Sequence, residues 1–349
     1  MVKPINTVIL GCAALCASHL RQAAAWSHAT SLRNSMLPRS RTALTMVAAN
    51  KARRKENVEG NLFVDESCID CDTCRWMAPG IYGRENSQSN VIKQPEGEQE
   101  RREAYRAMVS CPTGSIRLEQ PDALVKDARN DFPFPVEGLP GVYHLGFHSK
   151  DSYGGTAWLL AREGGAVIVD SPRYSKSLAQ AIVATLGGEQ PKYMFLTHKD
   201  DVADHAKWAQ AFPDMQRIMH AADTGGRSSV GAGVIEMELS DATATRRMPP
   251  ASSHIDTPPP CPLHPGDHLA FSAWRNRLDG FARVNRNGVD RQARTIAALG
   301  SDAAPPFTAI LPGHARVARF ADGPAQARAE VSAAAAAFAA DARAEGMWR

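Results

Sequence analysis

Four cysteines are spaced in a way that suits an iron–sulfur cluster. Cys68, Cys71 and Cys74 form a Cys-x-x-Cys-x-x-Cys run, and Cys111 stands directly before a proline. Four thiolates that converge form the ligand set of a 4Fe-4S cluster. Zinc sites more often use two separate Cys-x-x-Cys pairs, so a zinc ribbon or buried free thiols are the alternatives. The spacing therefore predicts one 4Fe-4S cluster that uses all four cysteines.

The residues around these cysteines resemble a single-cluster bacterial-type 4Fe-4S ferredoxin over about residues 60–120. The stretches that carry the resemblance are Phe63-Val-Asp-Glu-Ser-Cys68-Ile-Asp-Cys71-Asp-Thr-Cys74 and Ser110-Cys111-Pro-Thr-Gly-Ser-Ile116. The resemblance implies a small ferredoxin-like domain. Residues 84–93 predict a polar connection, and residues 99–109 predict a short helix that delivers Cys111.

A second set of potential ligands consists of histidines and aspartates in the C-terminal half. A predicted strand at residues 193–197 leads into the loop Thr197-His198-Lys-Asp200-Asp201-Val202-Ala-Asp204-His205. Imidazoles with carboxylates suit Fe(II), Mn(II) or Zn(II), so the ligand types do not identify the metal. A bound divalent ion lowers the pKa of its water and polarises a carbonyl or phosphoryl oxygen. The predicted chemistry is hydrolysis of an ester, thioester, lactone or phosphodiester by a metal-bound water.

This loop, together with Asp170 at the end of an earlier strand, Pro265-Gly-Asp267 and Leu311-Pro-Gly-His314, resembles the metallo-β-lactamase fold family over about residues 139–349. The resemblance implies an α+β domain built as a four-layer αββα sandwich. It also implies that Asp204 orients the attacking water or accepts its proton. The expected metal ligands are His198, Asp204, His205, Asp267 and His314. Three of them, Asp204, His205 and His314, match one metal position of the family, so one ion is better supported than two.

The loop departs from the family pattern His-x-His-x-Asp-His. Val202 stands where the second histidine belongs, and the later Pro-Gly-His-Thr motif is absent from the sequence. The span from His205 to Asp267 is also short by about a strand pair, which a degenerate site or a gene model that lacks an exon would explain. The weaker ligand candidates are Asp200, Asp201, His254 and His264.

Three functions remain open at this point. The first is a metal-dependent hydrolase whose cluster serves electron transfer or control. The second is a redox enzyme in which the cluster feeds electrons to a non-haem iron, as in flavodiiron proteins, although Val202 replaces the glutamate of the flavodiiron motif. The third is a catalytically inactive iron–sulfur electron carrier. Zinc in the second site favours hydrolysis and iron favours the redox enzyme; the expected partners are a small-molecule substrate and an electron donor or acceptor protein.

Apolar patterns predict the elements around the second site. Short strands are predicted at residues 142–146, 156–161 and 166–170. Helices are predicted over residues 177–186, ending at Gly187-Gly188, and over residues 206–211. The Ala-rich tail at residues 324–344 predicts a final amphipathic helix.

Length and charge indicate two domains without a nucleic-acid footprint. The 349 residues have room for domains at 60–120 and 139–349, joined by a Pro-rich linker at 121–138. The formal net charge is +3, but the first 55 residues contain nine Lys and Arg and no acidic residue, which leaves −6 for the remainder. No basic surface for nucleic acid is therefore expected in the folded part.

Residues 1–55 predict a targeting presequence. The apolar run Val8–Ala17 is too short to span a membrane, and it is followed by Ala23–Ala25, which resembles a signal-peptide cleavage region. A Ser-, Thr- and Arg-rich stretch follows, as in transit peptides. The two-part pattern resembles the presequence of algae with secondary plastids. It predicts a chloroplast protein with no membrane span in its mature form; a mitochondrial or secretory destination is the alternative.

Overall fold

The computed structural model describes residues 51–162, 164–225, 228–240, 262–282 and 288–345. Most of the predicted presequence and the candidate ligand His254 therefore lie outside the described residues. The helices of the described part are α1 (Thr73–Met77), α2 (Gly97–Ser110), α3 (Leu124–Asn130), α4 (Lys176–Thr185), α5 (His205–Ala211), α6 (Val289–Leu299) and α7 (Pro324–Ala344). None of them combines the length and the apolarity needed to cross a bilayer.

Fifteen strands are found in the same described ranges. They are β1 (Leu62–Val64), β2 (Tyr82–Glu85), β3 (Gln88–Val91), β4 (Ile116–Leu118), β5 (Phe134–Pro135), β6 (Val142–His144), β7 (Trp158–Leu160), β8 (Val167–Val169), β9 (Tyr193–Phe195), β10 (Gln216–His220), β11 (Met237–Leu239), β12 (Ala270–Ser272), β13 (Arg277–Asp279), β14 (Ala309–Ile310) and β15 (Ala318–Arg319). The strands and helices that the sequence predicts at residues 142–211, and the helix at 324–344, are all present.

The first domain pairs β1 antiparallel with β4 and covers them with α2. Helix α2 buries Ala104, Tyr105 and Ala107 and ends at Ser110, so that it delivers Cys111 as the sequence predicts. The expected polar connection at residues 84–93 is largely the hairpin β2–β3 instead. Asn86 and Ser87 at its tip have φ of 51° and 59°, which suits a tight two-residue hairpin turn.

Residues 51–55 belong to this domain, although the sequence placed them in the presequence. Arg53 forms a β-bridge with Asp65, and the Arg54 amide donates to the Val64 carbonyl at 3.1 Å. The Arg54 residue is only 5% exposed. The folded part therefore begins before residue 55.

The segment expected to be a linker, residues 121–138, is also part of the packed structure. Helix α3 lies against α2 and buries Ala128 in the core of the first domain. Strand β5 then joins the sheet of the second domain by antiparallel pairing with β6. The expectation of a Pro-rich linker missed α3, whose apolar face is only Leu124, Val125 and Ala128.

The second domain is built on a seven-stranded sheet in the order β11-β10-β9-β8-β7-β6-β5. Strands β5 to β8 pair antiparallel, and β8 to β11 pair parallel. The carboxyl ends of β8 and β9 therefore lie side by side at one edge. In mixed and parallel sheets this edge is where binding residues commonly meet.

Apolar side chains on both faces of the sheet define the layers. One face packs against α4 and α5, with Ile168 and Met194 against Ile182 and Trp208. The other face packs against β14 and the residue that follows it, Leu311. Helices α6 and α7 cover a third cluster behind the hairpins β12–β13 and β14–β15. In the described residues β12–β13 and β14–β15 are two separate two-stranded sheets rather than one continuous second sheet. Isolated bridges join Leu263 to Ile310 and Phe271 to Arg316.

Candidate cluster and metal sites

The four cysteines line one cavity of the first domain. Cys68 and Cys71 lie in the loop before α1, Cys74 lies in α1, and Cys111 is the residue that ends α2. None of them forms a disulfide. Apolar side chains close the cavity around the sulfurs, among them Val64, Ile69 and Ile116.

Each of the four sulfurs meets a hydroxyl or amide group. A backbone amide or hydroxyl that donates to a sulfur stabilises the anionic form that binds iron. Burial raises the pKa of the Cys71 thiol to about 11, so these cysteines become thiolates by binding metal rather than by titration at neutral pH. The arrangement fits a cluster. The Ser89 amide donates to Cys68 Sγ at 3.4 Å. The Cys71 and Cys74 thiols donate to Thr73 Oγ1 at 3.4 Å and to Ser89 Oγ at 3.3 Å, and these hydroxyls could donate in return to metal-bound thiolates. Thr113 Oγ1 lies 3.7 Å from Cys111 Sγ.

A second group of potential ligands lies in the second domain. His198, Asp201, Asp267 and His314 each place one ligand atom within 4.8 Å of the others. The first two lie in the loop after β9, Asp267 precedes β12, and His314 follows β14. Residues far apart in the sequence thus meet at the edge of the sheet where β8 and β9 end.

Asp267 is the centre of this group. Its carboxylate oxygens lie 2.9 Å and 3.0 Å from His314 Nδ1, and Oδ1 lies 3.2 Å from His198 Nε2. The two imidazole rings are nearly perpendicular, at 88° with centroids 5.6 Å apart. The nitrogen atoms of two imidazoles and the oxygen atoms of one carboxylate therefore lie together at this site.

Asp170 holds the base of the loop that carries His198. Its backbone amide donates to the Phe195 carbonyl at 2.8 Å, so the end of β8 is tied to β9. The Asp170 carboxylate accepts hydrogen bonds from the Thr197 amide at 2.8 Å and from the Thr197 hydroxyl, and it lies 3.6 Å from His198 Nδ1. The Thr197 hydroxyl oxygen lies 2.8 Å from His198 Nδ1, so Asp170 orients the imidazole through Thr197, as hydrogen-bonded groups behind histidine ligands do.

The charges of the group favour a cation. Burial would lower the pKa of His198, but Asp267 and Asp170 raise it well above its ordinary value. Burial would raise the pKa of Asp267, but the neighbouring His198 and His314 lower it by a larger amount. Its pKa is therefore well below its ordinary value. The pKa of Asp201 is raised, chiefly by burial. The site holds positive charge on its histidines, which a divalent ion would replace.

The donor set fits a metal ion. His198 Nε2 is buried and makes no hydrogen bond of good geometry to any described residue, although Asp267 lies 3.2 Å away. Once an ion displaces the proton from this nitrogen, no aligned hydrogen bond competes with the ion for its lone pair. Two imidazoles and two carboxylates suit Zn(II), Fe(II) or Mn(II).

Asp204 and His205, which the sequence placed among the ligands, lie outside this group. The Asp204 carboxylate accepts from the Tyr174 amide at 2.8 Å and forms an ion pair with Lys207 at 2.7 Å. His205 Nδ1 lies 3.0 Å from a guanidinium nitrogen of Arg217, which donates to it. The expected ligand set and the expected catalytic role of Asp204 therefore need correction. The physical reason is the loop's two additional residues, which bring Asp201 to the site and leave the Asp-His pair at the start of α5.

Asp201 is the member of the site that sequence reasoning undervalued. It stands three residues after His198, a spacing that could have signalled it, but a charged loop residue is more often merely solvated. His264, the other weak candidate in the described residues, is 2% exposed and has no hydrogen-bond partner there. It is not part of the four-residue group, and burial lowers its pKa to about 4.

Comparison with known proteins identifies the first domain. Residues 64–118 match the 4Fe-4S single cluster domain of Ferredoxin I. The predicted resemblance to a single-cluster ferredoxin is confirmed over this range. The matched range includes all four cysteines.

Solved structures similar to this chain include metallo-β-lactamases. A subclass B3 enzyme of Bradyrhizobium japonicum is 14% identical, covering 62% of this chain and 95% of that chain with a TM-score of 0.36. An enzyme of Cronobacter sakazakii is 15% identical, over 61% and 96% of the two chains, with a TM-score of 0.35. A β-lactamase domain protein of Burkholderia ambifaria is 19% identical, over 60% and 74%, with a TM-score of 0.33. These values concern the fold alone, so the site is interpreted from its own atoms. The search of curated proteins found no match.

Proposed function

We propose that this protein is an iron–sulfur metallohydrolase, with one 4Fe-4S cluster on Cys68, Cys71, Cys74 and Cys111 and one divalent ion in the second domain. The observation that carries the proposal is the convergence of two imidazoles and two carboxylates within 4.8 Å. One ion is proposed because the described residues supply a single such group.

His198, Asp267 and His314 are the proposed protein ligands. Catalytic zinc sites commonly use three protein ligands and keep one position open. A divalent ion held there would act as a Lewis acid and lower the pKa of a water molecule. Asp170 fixes the His198 ring, and the Ser152 carbonyl, 3.2 Å from His314 Nε2, lies at the other imidazole.

Asp201 takes the catalytic role that the sequence gave to Asp204. Its pKa is raised by burial, which brings the carboxylate closer to the range in which a general base accepts a proton at neutral pH. It also lies within reach of the three ligands. Asp201 would orient the attacking water and take its proton. Asp204 instead holds the loop through its hydrogen bond with the Tyr174 amide and its ion pair with Lys207.

The experiment compares Asp201→Asn with Asp204→Asn. Both variants are loaded with Zn(II), Mn(II) or Fe(II) and assayed on a panel of an ester, a thioester, a lactone and a phosphodiester. The expected result is a fall in kcat of about 10²- to 10⁴-fold for Asp201→Asn with metal still bound, and near wild-type kcat for Asp204→Asn. Equal losses in both variants, or no metal-dependent turnover of any substrate class, would reject the proposal.

A redox enzyme is the second candidate, because one short loop touches both sites. The Ser152 carbonyl contacts His314. Two residues later, the α-carbon of Gly154 packs so closely on Cys71 that an added Cβ would lie 2.8 Å from the Cys71 Cβ. Adjacent Cα atoms are about 3.8 Å apart. The three-residue segment 152–154 therefore spans the space between the metal ligand His314 and the cluster ligand Cys71. Native iron rather than zinc in the second site would favour this candidate.

We also propose that the protein acts in a plastid. The support is the acid-free composition of residues 1–55 with its apolar run followed by a Ser-, Thr- and Arg-rich stretch. The test is a fusion of residues 1–55 to a fluorescent protein in an alga with secondary plastids. Mitochondrial or secreted fluorescence would contradict it.

A further inference from the structure

A chain of buried polar contacts runs from a cluster cysteine into the second domain. Cys71 Sγ lies 3.4 Å from Thr73 Oγ1, which lies 3.2 Å from His148 Nδ1. His148 Nε2 lies 2.8 Å from His144 Nε2. Thr73, His148 and His144 are 2%, 0% and 3% exposed. Water does not compete for these contacts, so their geometry decides which atom donates.

The carbonyl of Gly154 fixes the direction of the chain. It lies 2.9 Å from His148 Nδ1, and a carbonyl only accepts, so Nδ1 carries the hydrogen. Burial lowers the pKa of His148 to about 4 and that of His144 further below its ordinary value, so both rings are neutral. His148 Nε2 is then an acceptor, and His144 Nε2 donates to it.

The same constraint determines what Thr73 does. The single Nδ1 hydrogen of His148 is shared between the Gly154 carbonyl and the Thr73 oxygen, which lies 3.2 Å away. The Thr73 hydroxyl hydrogen is therefore directed elsewhere. The Cys71 thiol donates to the Thr73 oxygen at 3.4 Å. As an iron ligand the sulfur is a thiolate and has no hydrogen, so the Thr73 hydroxyl would then donate to the sulfur. Hydrogen bonds to cluster sulfurs are among the factors that set the reduction potential.

We propose that the second domain tunes the cluster: His144 and His148 hold the Thr73 hydroxyl as a donor to Cys71 Sγ and so raise the reduction potential. A donor at the sulfur stabilises the reduced cluster, which carries one more negative charge, more than the oxidised cluster. Thr73 and His148 therefore act on the cluster through the Cys71 sulfur and do not bind iron themselves. The inference rests on the cluster of the proposed function and is independent of the divalent metal.

Aromatic packing keeps the histidine pair in place. The His144 ring lies 5.1 Å from that of Trp76 in the first domain and 5.4 Å from that of Trp158 in the second. The Trp158 indole donates to the Pro312 carbonyl at 3.3 Å, two residues before His314. The tuning network is therefore continuous with the loop of the candidate metal site.

The test measures the midpoint potential of the full chain by a redox titration followed by electron paramagnetic resonance. Thr73→Val keeps the shape of the side chain and removes the hydroxyl. We expect reduction to become about tenfold less favourable, which for a one-electron couple is about −59 mV. Thr73→Ser keeps a hydroxyl and should stay near the wild-type potential. Iron and sulfide content, measured on each variant, separates a shifted cluster from a missing one.

Thr113→Val is the matched control, because Thr113 also stands two residues after a cluster cysteine. Its hydroxyl lies 3.7 Å from Cys111 Sγ and contacts Ser115 rather than a histidine. We expect Thr113→Val to shift the midpoint potential by at most a third of the shift in Thr73→Val. His148→Leu should lower the potential when Thr73 is present and add little to Thr73→Val, which is the non-additivity of residues that act through one another.

An unchanged potential in Thr73→Val, or an equal shift in Thr113→Val, would overturn the inference. Full additivity of Thr73→Val and His148→Leu would do the same, because the histidine would then act by another route. If Thr73→Val assembles no cluster, the comparison of His148→Leu with wild type in the presence of Thr73 decides: a lower potential supports the inference and an unchanged one rejects it.

Discussion

The substitution Gly313→Ala tests the position of the candidate metal site. An added Cβ would lie 2.4 Å from His198 Cε1, 2.9 Å from His198 Nε2 and 3.1 Å from Asp267 Oδ1. Ordinary contacts between such atoms are about 3.5 Å, so the imidazole must move by about 1 Å. Metal–ligand distances tolerate only about 0.2 Å. The backbone of Gly313 is not left-handed, so alanine fits the chain and the clash falls on the ligand.

We expect the affinity for a divalent ion to fall by about 10- to 100-fold, the range seen when ligand orientation is disturbed. The assay is a calorimetric or Co(II) absorption titration, with circular dichroism and thermal unfolding to confirm the fold. Gly80→Ala is the matched control, since its Cβ would meet nothing within 4 Å. His198→Ala removes a proposed ligand and so gives the metal affinity expected when His198 does not bind at all. Wild-type affinity in a folded Gly313→Ala variant would refute the assignment of His198 as a ligand.

Three further predictions follow from the site and the core. Asp204→Asn and His205→Ala should keep the metal stoichiometry while His314→Ala loses it; loss of metal in the first two would restore the ligand set expected from the sequence. Burial lowers the pKa of His198 and His314, but Asp267 outweighs it and raises both above the ordinary value of 6.5. A metal must displace protons from them, so affinity should keep rising as the pH increases past this value, with proton release in calorimetry; a pH-independent affinity would contradict this. Trp208→Ala removes a residue that is 0% exposed and donates to the Pro172 carbonyl at 2.7 Å, and should lower the unfolding free energy in urea by about 3–5 kcal/mol; a loss below about 1 kcal/mol would show that the core repacks.

The sequence predicted a single-cluster ferredoxin domain, which the family match confirms over residues 64–118. The four predicted ligand cysteines line one cavity, because three of them are fixed by short spacing and helix α2 delivers the fourth. The sequence also predicted the strands β6 to β9 and the helix α7, where apolar runs are bounded by glycine. Helix α3 was missed because the prolines at residues 121–140 dominate the local pattern, and its apolar face is short.

The metal site was predicted in part. His198, Asp267 and His314 meet as expected, since each follows a strand or lies in a loop that reaches the same sheet edge. Asp201, rather than Asp204 or His205, lies with these three residues. The sequence did not anticipate this, because the conformation of a loop is not encoded in a periodic pattern. The buried pair His144 and His148 was not anticipated at all. The proposed role of this pair depends on contacts between the two domains, and a short stretch of sequence does not predict such contacts.

The most direct test of two separate sites is the content of iron, acid-labile sulfide and other metals per chain, with paramagnetic resonance after reduction, on protein purified without oxygen. The account predicts about four irons and four sulfides from the cluster, plus one further divalent ion that Asp267→Asn removes without loss of sulfide. A further zinc ion supports the hydrolase, and a further iron supports the redox enzyme. Zinc on the cysteines without sulfide, or a cluster with no second metal bound even on titration, would contradict it.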